Sequence, residues 1–156
     1  MQAIAQRDVA RLAPDVIAAM LALTKAGKSA GLEPALVELV LVRVSQINGC
    51  AFCLQFHLNI ARKLDIDPRK FDLLASWRDA GIYSGREMAA LGWAEALTQL
   101  TDPQARDAAL DKARAEFDEK ELVFLAATVA SINAWNRIAV GLHFPPPAAE
   151  ANRSPA

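Results

Sequence analysis

Cys50 and Cys53 are the only cysteines in this 156-residue sequence, and they stand as Cys50-Ala51-Phe52-Cys53 with His57 four residues further on. If a helix opens at Cys50, Cys53 lies one turn along it and His57 one turn beyond. Both sulfurs and the imidazole then share one stripe. That spacing lets a disulfide form locally and sets a proton carrier beside it. The thiolate, not the thiol, attacks, and a helix N-terminus or a neighbouring histidine lowers a cysteine pKa from about 8.5 into a range of roughly 3.5–7.5. A second thiol nearby can resolve a sulfenic acid into a disulfide before it over-oxidises. An imidazole can shuttle protons, which makes His57 a candidate proton carrier. Glu38 is the only acid in the run LVELVLVRV, and a buried carboxyl there suits a proton relay. Cys50, Cys53, His57 and Glu38 are therefore the candidate catalytic set, for redox chemistry on hydroperoxides or disulfides.

Other chemistries fit this segment less well. Zinc would find three ligands in Cys50, Cys53 and His57, but no second cysteine pair follows and His143 is the only other histidine. No metal and no cofactor is expected. Covalent haem needs a histidine directly after the second cysteine, where this chain has Leu54. A thioredoxin-like placement needs a βαβ pattern around the motif, and none is present. The plain alternative is two small buried hydrophobes at chance spacing. The histidine and the glycine before Cys50 weigh against it. Glu38 has a plain alternative too, as an ion-pair partner of Arg43 or another base, and His143 reads as structural or solvent-facing.

The elements that must position these groups are helical. Pro14 to about Ala26 carries Val16, Ile17, Met20, Leu21 and Leu23 at helical spacing. Pro34 suits the first turn of a second helix reaching about Ile47. Asn48-Gly49 reads as a turn or C-cap, and a third helix runs from near Cys50 to about Leu64. Asp67-Pro68 reads as the start of a fourth, ending near Gly81. Ser84-Gly-Arg-Glu87 forms a capping box that opens a helix to about Gln99. Asp102-Pro103 begins a more polar helix to about Ala115. Asp118-Glu-Lys-Glu121 is a weaker box opening a long helix to about Gly141. From Pro145 onward the sequence reads as an unstructured or extended tail. The second helix is apolar on nearly every side, which implies burial all round. In so small a domain that predicts help from neighbouring subunits, hence a homo-oligomer; a central helix of a monomeric bundle is the alternative.

Composition agrees and narrows the function. Hydrophobic residues make up 53% of the chain and the net charge is −1, so the reading is one all-α domain with a substantial core and no basic field for nucleic acid. The uncharged stretch from Leu122 to Asn136 contains Ser131, Asn133 and Asn136 and stops at Arg137. It reads as too short and too polar to span a membrane. The N-terminal stretch places charges where a secretory signal would be apolar. A cytoplasmic location is expected, and there a C-x-x-C pair is more often catalytic than a permanent staple.

The run Glu38…Ser45-Gln-Ile-Asn-Gly-Cys50-Ala-Phe-Cys53-Leu-Gln-Phe-His57 resembles the core motif of the alkylhydroperoxidase D-like proteins of the carboxymuconolactone decarboxylase superfamily. Ser84-Gly-Arg-Glu-Met-Ala-Ala-Leu-Gly-Trp-Ala-Glu-Ala-Leu-Thr98 and Ser131-Ile-Asn-Ala-Trp-Asn-Arg137 add to the likeness, which spans about Glu33 to Arg137. The first motif is specific; the other two concern packing and assembly. The resemblance implies an all-α fold; the chain then reads as a helical bundle over residues 1–144, with the C-x-x-C at a helix N-terminus, and a flexible Pro/Ala-rich tail over 145–156. It implies a homo-oligomer, a trimer or hexamer. It makes Cys53 the attacking thiolate, Cys50 the resolving one, and His57 and Glu38 the proton relay. Retention of both cysteines favours the peroxidase-like branch over the decarboxylases. Phe52 stands where some members carry a histidine, so no proton relay acts there, and the ring shields the site or lines an apolar entrance. The function implied is a thiol-dependent peroxidase for organic hydroperoxides, with a thiol or lipoyl-bearing protein as reductant. The alternatives are a thiol–disulfide reductase of lipoyl type and a non-enzymatic redox sensor, using the same pair.

Overall fold

Among the described residues, five helices start where a side chain takes up a free amide: Cys50, Asp67, Ser84, Asp102 and Asp118. The computed structural model describes residues 4–28, 31–64 and 66–150. Eight α-helices and no strand occur among them: α1 (Gln6–Leu12), α2 (Pro14–Lys28), α3 (Pro34–Ile47), α4 (Ala51–Lys63), α5 (Pro68–Asp72), α6 (Gly85–Gln99), α7 (Pro103–Arg114) and α8 (Glu119–Gly141). Both capping boxes close as expected. Glu87 N–H donates to Ser84 Oγ at 3.2 Å, while Glu87 Oε2 accepts Ser84 N–H at 2.9 Å. Asp118 and Glu121 make the same exchange at 2.7 and 3.0 Å. Asp67 and Asp102 cap α5 and α7 through their side chains.

Two elements differ from the expectation. The helix read from Pro68 to Gly81 stops at Asp72 and continues as a 3-10 turn, Leu74–Ser76. Tyr83 Oη donates to the Lys70 carbonyl at 2.5 Å, occupying an oxygen that a continuing α-helix would have bonded. The tighter turn buries Leu74 and Trp77, three residues apart, in one small apolar cluster with Tyr83. The sequence reading also missed α1. It is a seven-residue helix burying only Val9, and it ends at Leu12, before Ala13 leaves the helical conformation at φ −139° ahead of Pro14.

Helix α3 lies at the centre, packed by α4, α6 and α8. Leu39, Val40, Val42 and Val44 are fully buried, so one chain alone encloses this helix and its pattern no longer argues for assembly. Helix α8 is long and apolar enough, by length and composition, to cross a membrane, exceeding the uncharged stretch read from the sequence. Here it packs on α2, α3, α4 and α6, with Ser131 and Asn136 inside the protein. Ser131 Oγ and Trp135 Nε1 both meet Thr24 Oγ1 of α2, at 2.9 and 3.0 Å. Nearby, α2 and α8 touch closely: a Cβ on Gly27 would sit 2.8 Å from Thr128 Oγ1, which is buried and β-branched. Gly27→Ala is therefore expected to lower stability by about 1 kcal/mol, the overpacking outweighing the gain in helix propensity. At Gly141 a Cβ meets nothing within 4 Å, so Gly141→Ala is the control and should leave the melting temperature unchanged or higher. Equal melting temperatures for the two variants would refute the close contact.

Of the tail read as residues 145–156, positions 145–150 form no helix and lie against α4. Asn59 Nδ2 donates to the Ala148 carbonyl at 2.8 Å, and Asn59 Oδ1 accepts Glu150 N–H at 3.0 Å. Residues 151–156 lie outside the described residues.

Candidate active site

The turn between α3 and α4 carries the first sulfur. Asn48 ends α3, and Gly49 takes φ +64°, a conformation that favours glycine. Cys50 N–H then donates to the Ser45 carbonyl at 3.0 Å, which turns the chain into α4. Cys50 is the N-cap of that helix, and its Sγ accepts Cys53 N–H at 3.3 Å. Both thiols are free and buried, at 2% and 4% exposure.

The pair divides the charge unequally. The Cys53 thiol donates to Cys50, and with the Cys53 and Phe52 amides and the Asn136 carboxamide this outweighs burial and lowers the Cys50 pKa to about 7. That same donated bond, together with burial and the adjacent Cys50 charge, pushes the Cys53 thiol far up. The bond between the sulfurs thus favours the negative charge on Cys50 and the proton on Cys53.

Glu38 and His57 meet. Glu38 Oε2 lies 2.7 Å from His57 Nδ1, and both side chains are buried. A carboxylate only accepts, so Nδ1 is assigned the proton of this bond. His57 sits one turn beyond Cys53 on α4. The alternative partner for Glu38, Arg43, turns elsewhere: its Nε donates to Glu95 Oε1 at 2.6 Å. His143 is exposed, with φ +56°. Among the described residues no group of three or more His, Cys, Asp or Glu is arranged to hold a metal ion.

Aromatic rings border the pair. Phe52 stacks on Phe56, with centroids 6.2 Å apart, and meets Phe144 edge-on at 5.4 Å. Phe56 also meets the His57 ring edge-on at 5.3 Å and is itself 45% exposed. The Phe144 ring is brought there by the residues leading into the tail. A cavity of about 680 Å³ beside α6 and α7 is lined by Trp77, Met88, Glu95 and Lys112 and touches neither cysteine.

One residue at the site was not singled out from the sequence. Asn136 on α8 is fully buried and bonded to the turn that carries Cys50. Its Nδ2 donates to Ser45 Oγ at 3.2 Å and its Oδ1 accepts from Asn48 Nδ2 at 2.9 Å. The signal was there, as two amides, Asn133 and Asn136, three residues apart in an otherwise uncharged run.

Comparison with known proteins agrees with this picture. The model of the carboxymuconolactone decarboxylase family matches residues 14–96. The uncharacterized protein YdfG of Bacillus subtilis (strain 168) is 33% identical over 131 residues, 84% of this chain and 89% of that protein. A crystal structure from Agrobacterium tumefaciens, of a protein of unknown function for which an antioxidant defence role as AhpD is only proposed, superposes with TM-score 0.85 at 35% identity. It covers 90% of this chain and 97% of its own. A peroxidase-related protein from Ralstonia eutropha JMP134, an alkylhydroperoxidase AhpD core, shares the fold at TM-score 0.77 and 23% identity, over 89% of this chain and 74% of its own.

Proposed function

Because the chain belongs to the carboxymuconolactone decarboxylase family, we propose that it is an alkylhydroperoxidase-like enzyme, a thiol-dependent peroxidase that reduces organic hydroperoxides through Cys50 and Cys53. The observation that carries this reading is the pair of free, buried sulfurs at the start of α4, one turn from the Glu38–His57 pair. A relative at 35% identity, for which an AhpD antioxidant role is proposed, supports it.

The chemistry runs in balanced steps. The proton shared by the sulfurs passes from Cys53 to Cys50, leaving the thiolate on Cys53, the attacking sulfur by family resemblance. Cys53 Sγ attacks the terminal peroxide oxygen and the O–O bond breaks. Sulfur is oxidised to the sulfenic acid, and the departing alkoxide takes a proton relayed by His57 and Glu38 to leave as alcohol. Cys50 loses its proton through the same relay, and its thiolate attacks Cys53 Sγ. Hydroxide leaves, is protonated to water, and a disulfide remains. An external thiol or lipoyl-bearing protein reopens that bond by exchange. A reducing compartment such as the cytoplasm suits such a cycle. Exposed Leu12, Val16 and Leu21 offer an apolar surface for a homo-oligomer, a trimer or hexamer by resemblance.

Free thiols counted before and after one equivalent of an organic hydroperoxide, with intact mass alongside, test the reading. We expect loss of both thiols and a mass lower by about two hydrogens. Survival of both thiols in excess peroxide would overturn it. A faster reaction with a lipoyl disulfide than with a cumene-type hydroperoxide would instead favour a thiol–disulfide reductase.

A further inference from the structure

We propose that residues 144–150 form a strap that closes the thiol site. Asn59 pins it to α4, Phe144 is its plug, and bulky reactants reach the sulfurs only when it lifts. As the gate for an organic hydroperoxide the strap rests on the peroxidase reading; the closure itself does not.

Reaction at this site needs an opening. Cys50, Cys53 and His57 are 2%, 4% and 8% exposed, yet an attacking sulfur must touch its target. Helices α3, α4 and α8 pack on one another here. The chain after α8 is held by much less. It forms no helix, and from Pro145 to Glu150 every residue but Pro147 is exposed.

It nonetheless follows one face of α4, on which Phe52, Phe56, Asn59 and Lys63 succeed one another at helical spacing. Phe144 meets Phe52 edge-on, Ala148 and Glu150 bond to Asn59, and Glu150 pairs with Lys63 at 2.9 Å. From Phe52 to Lys63 the helix rises about 16 Å, and six extended residues reach about 20 Å, so the strap has little slack. Pro145, Pro146 and Pro147 suit such a run, because none of them has an amide proton to satisfy.

Asn59 is the clasp. It is buried, and besides its two bonds to the strap its Oδ1 accepts from Gln55 and Arg62, at 2.8 and 3.0 Å, which fixes the amide's orientation. At the other end Phe144 is buried in the same apolar core as both cysteines. Its amide donates to the Ala139 carbonyl at 2.9 Å, an ending of α8 that puts His143 at φ +56°. That conformation favours glycine, and a histidine keeps it only while its surroundings enforce it. One plug, one clasp and an exposed ion pair can release while the bundle stays folded.

The test follows alkylation of the reduced protein by a bulky aryl maleimide. Asn59→Ala removes both bonds to the strap and should speed alkylation about tenfold. Phe144→Ala should speed it at least as much. Gly27→Ala, destabilised at the contact of α2 with α8, should leave it unchanged. An unaltered rate in either strap variant, or an equal rise in Gly27→Ala, overturns the proposal. Should the strap variants not fold, the urea dependence of alkylation in the unsubstituted protein carries the question. A lifting strap predicts a rate that hardly changes in dilute urea and tracks exchange of the Glu150 amide. A rate that rises with the full slope of global unfolding overturns it. Consumption of cumene hydroperoxide is scored apart: if the unsubstituted protein consumes none, the peroxidase reading fails, while alkylation still reads the strap.

Discussion

Cys53→Ser is expected to lower the rate of hydroperoxide reduction by on the order of a thousandfold or more, because it removes the sulfur assigned to attack. Cys50→Ser is expected to fail differently. Attack at Cys53 then proceeds once, and the sulfenic acid accumulates because no thiolate lies beside it to expel hydroxide. A carbon nucleophile that traps sulfenic acids should therefore label Cys50→Ser after peroxide and leave Cys53→Ser unlabelled. The contrast is informative because the bond between the sulfurs favours charge on Cys50 while the attacking role is given to Cys53. Labelling confined to Cys53→Ser would reverse the two roles and keep the chemistry.

A second large effect is expected far from the sulfurs. Glu95 is buried in α6 and takes bonds from Trp77 Nε1 at 2.9 Å, Arg43 Nε at 2.6 Å and Arg78 at 2.6 Å. Burial alone would raise its pKa, but these three donors outweigh it and hold the carboxyl below its usual range. Glu95→Ala leaves the Trp77 donor and the partly buried Arg43 without their acceptor, for an expected loss of about 3 kcal/mol. The melting temperature should fall by roughly 6–12 °C. Arg78 is 62% exposed at its side chain, so Arg78→Ala should cost under about 1 kcal/mol. The sign with pH follows from the lowered pKa: Glu95 contributes stability above the unfolded carboxyl value and loses it as pH falls through the folded one. Equal thermal shifts for Glu95→Ala and Arg78→Ala would refute the network as drawn.

What the sequence made legible was local. Prolines at Pro14, Pro34, Pro68 and Pro103 and the boxes at Ser84 and Asp118 mark helix starts, because a cap is a contest among neighbours in the chain. The meeting of Glu38 with His57 followed less directly, since nineteen residues separate them, yet a lone acid in an apolar run needs a partner. Long-range choices were hidden. Whether Arg43 turns to Glu38 or to Glu95 depends on where α6 packs, and no spacing within α3 contains that information. Asn136 was passed over for the same reason, since an amide on a distant helix means little until α8 is laid against the turn at Asn48. The fourth helix failed on a tertiary bond, from Tyr83 to the Lys70 carbonyl.

The atom that caps α4 is also one of the two that a disulfide would consume. In the reduced protein Cys50 Sγ holds the Cys53 amide at 3.3 Å. A sulfur without negative charge is a poorer acceptor, so oxidation would weaken the first hydrogen bond of the helix along with the thiol chemistry. The exchange of that single amide with heavy water is thus a built-in gauge of the redox state, slow when the pair is charged and faster when it is closed. The first turn of α4 would loosen and tighten once per cycle, so the backbone keeps count of the chemistry done by its own side chains.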